Sequence, residues 1–319
     1  MDKKYYLAAD GGGSKLLGIL YDDDFKVIRH CKLSGVNMRF KPLEAVKKNL
    51  SDMLDILLGD DIKEVESADV CLICNEEVWR PIIEGDPRIK SVTVRDEPAI
   101  AISSAFMRDG IVALSGTGSD IFLLKDGKRI HSIGGWGPLL GDEGSGYDIG
   151  VHAIKAAISD FDGRGEPTAL RRIMLDRWET DSFWNIVFDL ARDPDARHKI
   201  ASTVPLVGRA AEEGDKVAQG VYKYAVNELL HQTYTLIKKE PSSWNGDVVI
   251  MGGAWKSYSG MFDYYKSELE GKYPHAKVIK PIFEPVVGCA ICRAFDLGLE
   301  LSDFKDKVLS GFAEFLYKN

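Results

Sequence analysis

The feature that most constrains this chain is a unit that occurs twice: a strand, a short turn of glycines and hydroxyls, and a second strand entered at once. The first copy runs through Tyr5-Tyr6-Leu7-Ala8, the turn Ala9-Asp10-Gly11-Gly12-Gly13-Ser14-Lys15, and the β-rich run Leu16 to Tyr21. The second runs through Ile111–Leu114, the turn Ser115-Gly116-Thr117-Gly118-Ser119, and Asp120–Lys125. A third strand follows each pair, at Lys26–Lys32 and Lys128–Ile133. Such self-similarity marks a duplicated domain, with residues 5–33 and 111–133 as its two copies. A turn of glycines has no Cβ atoms to hold a ligand off, so an anion can approach its N–H groups closely. Ser14 adds a hydroxyl, Lys15 a cation and Asp10 a carboxylate at the strand end, which suits a phosphate with a metal ion beside it. Two cradles on facing domains suit a ligand with several phosphates held between them.

Around these units the periodicity alternates. Pro42 opens a helix to about Leu58 with Leu43, Val46, Leu50, Leu54 and Leu57 on one face. Strands at Ala68–Ile73 and Ser91–Arg95 alternate with helices near Val78–Glu84 and Pro98–Met107. This order predicts an α/β layer with a mixed sheet. Residues 134–146 are too rich in glycine for a regular element and too long for a simple turn, as functional loops are. Ser145 can cap the helix that follows to Ser159. Residues 166–240 read as helical, in Glu166–Trp178, Asp181–Arg192, Asp195–Glu213 and Asp215–Lys239, with Trp178, Phe183, Trp184 and Phe188 packed among them. Asp247–Met251 is a buried strand, and Gly252-Gly253-Ala254 is a third strand-to-glycine turn, at the carboxyl end where α/β sheets bind ligands. A helix around Met261–Glu270, a short strand at Lys277–Ile279, a helix at Cys289–Leu299 and a last helix at Ser302–Tyr317 complete the chain.

At 319 residues the chain holds two domains of ordinary size. No run reaches the roughly 18 apolar residues that a membrane helix needs. Met1-Asp2-Lys3-Lys4 leads straight into a strand, with no signal-peptide pattern. A net charge of −8 disfavours nucleic acid as a partner, and a cytoplasmic setting is expected. Two CxxC spacings, Cys71–Cys74 and Cys289–Cys292, raise a zinc site. The first lies in an apolar strand, where i and i+3 face opposite sides, and the second in an apolar helix, so core thiols are expected instead. Asp22-Asp23-Asp24 reads as a solvated hairpin tip.

With its motifs in this order, the chain resembles the BadF/BadG/BcrA/BcrD-type ATPase family, in the branch of N-acetylglucosamine kinase and archaeal hexokinase within the actin-like sugar kinases. Asp-Gly-Gly-Gly-Ser at 10–14 and Ser-Gly-Thr-Gly-Ser at 115–119 resemble its two phosphate motifs. Gly135-Trp136-Gly137 with Gly141-Asp142-Glu143-Gly144-Ser145 resembles its sugar loop. Met251 to Ser257 resembles its adenosine motif, and Ala211 to Asp215 a helix end near the adenine. The resemblance implies two actin-like (ribonuclease H-like) α/β domains with a mixed sheet each and an interdomain nucleotide cleft. The expected domains are 1–109, joined by the helix 302–319, and 110–301 with a helical insertion. It implies ATP and Mg²⁺, and phosphoryl transfer to a sugar hydroxyl. By the resemblance Gly11, Gly12, Gly13, Ser14, Lys15, Gly116, Thr117, Gly118, Ala211, Gly252, Gly253 and Ser257 meet the nucleotide. Asp10 supports the metal, and Asn37, Gly135, Trp136, Gly137 and Asp142 face the sugar. Relatives form dimers, and exposed helices in the second domain leave room for a homodimer.

Two departures leave alternatives open. The family's catalytic carboxylate falls on Asp96 or Glu97, which are adjacent. The turn after the Ala68–Ile73 strand is Cys74-Asn75-Glu76-Glu77 in place of a glycine-rich one. Arg39 and Arg95 lie beside expected substrate positions and would suit a carboxylate-bearing acceptor such as 2-keto-3-deoxygluconate. The substrate class is therefore a hexose, an N-acetylhexosamine or a sugar acid. The alternative function is an activator ATPase of the same family, which would need iron–sulfur cysteines near the second phosphate motif. None lies between Cys74 and Cys289.

Overall fold

The computed structural model describes residues 3–38 and 41–318. In chain order the strands are β1 Tyr5–Gly11, β2 Lys15–Asp22, β3 Val27–Ser34, β4 Ser67–Leu72, β5 Val92–Val94, β6 Gly110–Ser115, β7 Ser119–Lys125, β8 Lys128–Gly134, β9 Asp247–Met251 and β10 Lys277–Ile279. The helices are α1 Leu43–Leu58, α2 Glu76–Ile83, α3 Glu97–Ser103, α4 Gly146–Phe161, α5 Leu170–Arg177, α6 Phe183–Arg192, α7 Ala196–Ala201, α8 Val204–Glu212, α9 Lys216–Lys239, α10 Ser259–Lys272, α11 Pro285–Asp296 and α12 Leu301–Gly311.

The chain forms two compact units, one of residues up to 108 with 281–317, the other of 109–280. The first carries a five-stranded sheet in the order β3-β2-β1-β4-β5. Strands β1, β2 and β3 pair antiparallel, while β1, β4 and β5 run parallel. The carboxyl ends of β1, β4 and β5 therefore share one edge. Alternation along β1 and β2 sends Leu7, Ala9, Leu16 and Leu20 into a core with α1 and α2, where Leu50, Leu54 and Trp79 are buried. Helix α11 packs against β1, β4 and α3. Its Gly288 is required by that packing, because a Cβ there would stand 1.9 Å from the Ile100 carbonyl oxygen.

The second unit repeats the plan, with sheet order β10-β9-β6-β7-β8. Strands β6, β7 and β8 are antiparallel, and β6, β9 and β10 are parallel. Both sheets are thus mixed, as the order of elements predicts. Ile111, Ala113, Ile121 and Leu123 share a core with Ile149, Val207, Ala225 and Leu229 of α4, α8 and α9.

Several expectations need correction. Helix α11 lies in the first unit and not in the second, because its apolar face covers β1 and β4. The run 195–213 is broken after Ala201, and Pro205 sits in the first turn of α8, where it lacks only an N–H that the helix would leave unpaired. The last helix stops at Gly311, before a short 3-10 turn. Trp184 and Phe188 are not packed among the helices; they are exposed and stacked on each other at 6.0 Å. Asp22 is no solvated tip either. It is buried, taking hydrogen bonds from Lys3 and from the backbone N–H groups of Asp24 and Lys26. The thiols of Cys71, Cys289 and Cys292 are buried in the first unit.

Candidate functional site

Each unit gathers its glycine turns at the carboxyl edge of its parallel strands. In the first, the Gly11–Ser14 turn leaves β1 and is pinned from three sides. Gly12 N–H donates to the Lys15 carbonyl at 3.0 Å. The Gly12 carbonyl accepts from Val36 at 2.9 Å and Asn37 at 3.3 Å, and the Gly11 carbonyl from Ile73 at 2.8 Å. Gly35 closes the arrangement, since a Cβ there would lie 2.2 Å from the Gly13 carbonyl oxygen. Asn37 is thereby brought beside the turn. Lys15 is engaged: its Nζ pairs with Glu284 Oε2 at 2.9 Å, a partner 269 residues away.

Asp10 sits half-buried at the end of β1, and burial pushes its carboxyl up to about 6 against Lys15, with Glu284 adding to the rise. Asp96 and Glu97 arrive at the same edge from β5. Both carboxylates, with Asp10, act on the buried Cys71 thiol of β4 and help raise it, after burial itself. Asp96 is exposed, with extended backbone (φ −79°, ψ 139°) and no capping bond to α3, whereas Glu97 is already inside the helix. Arg95 is engaged by two carboxylates. Its guanidinium donates to the buried Asp69 through Nε at 2.8 Å and pairs also with Asp296. Arg39 lies outside the described residues.

In the second unit three segments converge. The Ser115 and Ser119 hydroxyls donate to the carbonyls of Gly144 and Glu143, each at 2.7 Å, and bolt the end of the 134–145 loop to the second turn. Ser145 caps α4, whose Gly146 and Tyr147 N–H groups donate to the Gly116 and Thr117 carbonyls at 2.7 and 3.3 Å. The helix start thus fixes the turn. Gly252, at φ +110°, lies against it: a Cβ would stand 2.3 Å from the Ser115 carbonyl oxygen. Gly253 is open to space. Ser257 bonds the Tyr222 hydroxyl at 2.7 Å, and its carbonyl crosses α8 where Gly208 leaves room. Ala211, further along α8, is buried in the core.

Asp142 is buried at φ +60° and pairs with Arg197 at 2.5 Å, while the backbone N–H groups of Ser119 and Gly137 also donate to it. Burial raises its carboxyl, with Glu143 adding, and Arg197 opposes the rise. Trp136 is 80 % exposed at the loop tip, with Gly135 and Gly137 beside it. Arg197 and Asp120 escaped the sequence reading. Asp120 is the second residue of β7, directly after the turn, and its carboxyl is pushed up to about 6 by burial. Its place one residue past a phosphate-type turn was the available signal; Arg197, 55 residues from Asp142, offered none.

Among the described residues no three His, Cys, Asp or Glu side chains form a metal cage. A Mg²⁺ that rides on nucleotide phosphates needs only one or two carboxylates, so Asp10 fits that role. Its raised pKa has a measurable consequence. A half-buried acid ionising near 6 in the folded chain and near 3.8 unfolded contributes stability that is fully present below about 3.8 and is lost as pH rises from there through about 6. The difference of about 2 units is worth at most about 3 kcal/mol. Asp10→Asn is expected to melt several degrees above the parent at pH 7.5, by roughly a third of that margin at pH 4.5, and level with it only below about pH 3.8, by scanning calorimetry. Added Mg²⁺ should narrow the gap at pH 7.5. Equal melting at both pH values would remove Asp10 as a strained carboxylate.

The sequence profile of the BadF/BadG/BcrA/BcrD ATPase family matches residues 9–292. The N-acetylmuramic acid/N-acetylglucosamine kinase of Clostridium acetobutylicum is 31% identical over 300 residues, covering 90% of this chain and 97% of the relative. The N-acetyl-D-glucosamine kinase of Dictyostelium discoideum is 25% identical over 316 residues, covering 91% and 98%. In fold, a ROK family glucokinase from Streptomyces griseus, in complex with glucose and AMPPNP, matches at a TM-score of 0.62 and 13% identity, covering 91% of this chain and 98% of that one.

Proposed function

Since the chain belongs to the BadF/BadG/BcrA/BcrD ATPase family, we propose that it transfers the γ-phosphate of ATP to a hydroxyl of an amino sugar of the N-acetylglucosamine class. It is an ATP-dependent carbohydrate kinase. The observation that carries the finer reading is the full-length similarity to two kinases named for N-acetylglucosamine. The Gly11–Ser14 turn, through the Gly13 amide and Ser14, and the Gly116–Gly118 turn, through the Gly118 amide and Thr117, hold the phosphates, while the Gly12 and Gly116 N–H groups keep the turns in shape by donating to the Lys15 and Gly118 carbonyls. Gly252, Gly253 and Ser257 line the nucleotide, while Ala211 is enclosed in the core, and Lys15 is held near the first turn by Glu284. Asp10 would hold Mg²⁺, which supplies charge neutralisation on the β- and γ-phosphates when bound. Asn37, Gly135, Trp136, Gly137 and Asp142 receive the sugar. Asp96 orients the acceptor hydroxyl and takes its proton as the oxygen bonds to phosphorus and ADP leaves.

The pairing of Arg95 with Asp69 and Asp296 speaks against 2-keto-3-deoxygluconate, since that guanidinium is already committed to two carboxylates. The activator reading finds no cysteine in residues 75–288. ADP release is expected to be strongly stimulated by N-acetylglucosamine, less by glucose or glucosamine, and not by 2-keto-3-deoxygluconate. N-Acetylmuramic acid belongs in the same panel. Stimulation by glucose alone would move the substrate class to hexoses, and ADP release indifferent to every sugar would end the kinase reading.

A further inference from the structure

Buried polar atoms without a partner are rare in folded proteins, and each asks for an explanation. Three of those among the described residues surround one place in the second unit: Asp120 Oδ1, Arg197 Nε and Gln232 Oε1. A Cβ on Gly134 would stand 2.4 Å from Gln232 Oε1, and one on Gly135 would stand 2.3 Å from Asp120 Oδ2. A Cβ on Gly118 would stand 2.8 Å from an Arg197 nitrogen and 3.1 Å from Asp142 Oδ1. The phosphate turn, Arg197 and Asp142 are therefore in direct contact, and they belong to segments separated in sequence.

We propose that Arg197 is a positioning residue for the sugar, holding the Asp142 carboxylate ionised and aimed while its guanidinium rests on the Gly118 turn. The inference rests on Asp142 receiving the sugar. Two acids crowd that carboxylate, Glu143 beside it and Asp120 across the turn, and Arg197 is the cation that opposes them. The short helix α7 brings it there, as its Arg197 lies one residue into the helix. An ionised Asp142, already accepting from Arg197, Ser119 and Gly137, keeps an acceptor site for a sugar hydroxyl; a protonated one offers fewer acceptor sites and must donate. Loss of Arg197 leaves a buried charge facing like charges, which raises its pKa further.

The test is the pH dependence of sugar kinetics in Arg197→Met and Arg197→Lys. In Arg197→Met the KM for N-acetylglucosamine should rise about tenfold or more near neutral pH, with the KM for ATP changed less than about threefold. The acid limb of kcat/KM for the sugar should move up by about one pH unit, and Arg197→Lys should recover part of both changes. Carbon-13 titration of labelled aspartate, without substrate, should show the Asp142 carboxyl rising in Arg197→Met. Should that variant fail to fold, Arg197→Gln and Arg197→Lys carry the titration. An unmoved acid limb and an unmoved Asp142 titration in a folded variant overturn the inference, as does an equal rise in both KM values without a limb shift. A parent enzyme that shows no sugar dependence overturns the kinase reading itself, and with it this inference.

Discussion

Asp96→Asn is expected to lower kcat about a thousandfold, with KM for ATP and melting temperature nearly unchanged, because it removes the acceptor for the hydroxyl proton. Glu97→Gln is expected to cost less than about tenfold. The two residues are adjacent but differ in backbone. Asp96 prolongs β5 in extended conformation, is exposed, and makes no capping bond to α3. Glu97 is the first residue of that helix and its Cβ is tilted as helical residues are. Both reach the edge where Asp10 ends β1, so proximity alone does not separate them. Steady-state kinetics on the purified variants decides. A drop confined to Glu97→Gln would transfer the base to Glu97 and make Asp96 a bystander at the helix start.

The second large effect is expected at the third turn. Gly252→Ala places a methyl 2.3 Å from the Ser115 carbonyl oxygen and 2.6 Å from the Gly116 nitrogen, at φ +110°. Backbone on both sides leaves no flexible atom to yield. The strain and overpacking together amount to about 3 kcal/mol or more. If the chain still folds, the displaced second turn should raise KM for ATP about thirtyfold or more. Gly253→Ala is the control. Its φ of −74° is ordinary for any residue and its Cβ would meet nothing, so both stability and KM for ATP should stay near the parent values. Similar losses in both variants would mean that the turn tolerates no side chain for a reason other than the Ser115 contact.

Much of this was legible because the two repeated units are built from local signals. Apolar runs broken by glycines marked β1, β2, β6 and β7 within three residues at each end, and Ser145 named the start of α4. What escaped was long-range. Lys15 is paired with Glu284, Arg95 with Asp69 and Asp296, and Asp142 with Arg197, and no local pattern announces a partner 26 to 269 residues away. Asp69 was the missed clue, a carboxylate in an apolar strand that must be paired if buried. The break after Ala201 was written in Pro205 and went unused. Helix α11 was assigned by sequence order, although its glycine and small residues suit close packing on the first sheet.

The most direct measurement of the central claim follows phosphorus itself. With ATP, Mg²⁺ and N-acetylglucosamine, phosphorus-31 NMR should show the γ-phosphate signal replaced by that of a sugar phosphomonoester, at a rate set by the sugar concentration. Inorganic phosphate appearing at the same rate with or without sugar, and no ester, would contradict the account and identify an ATPase.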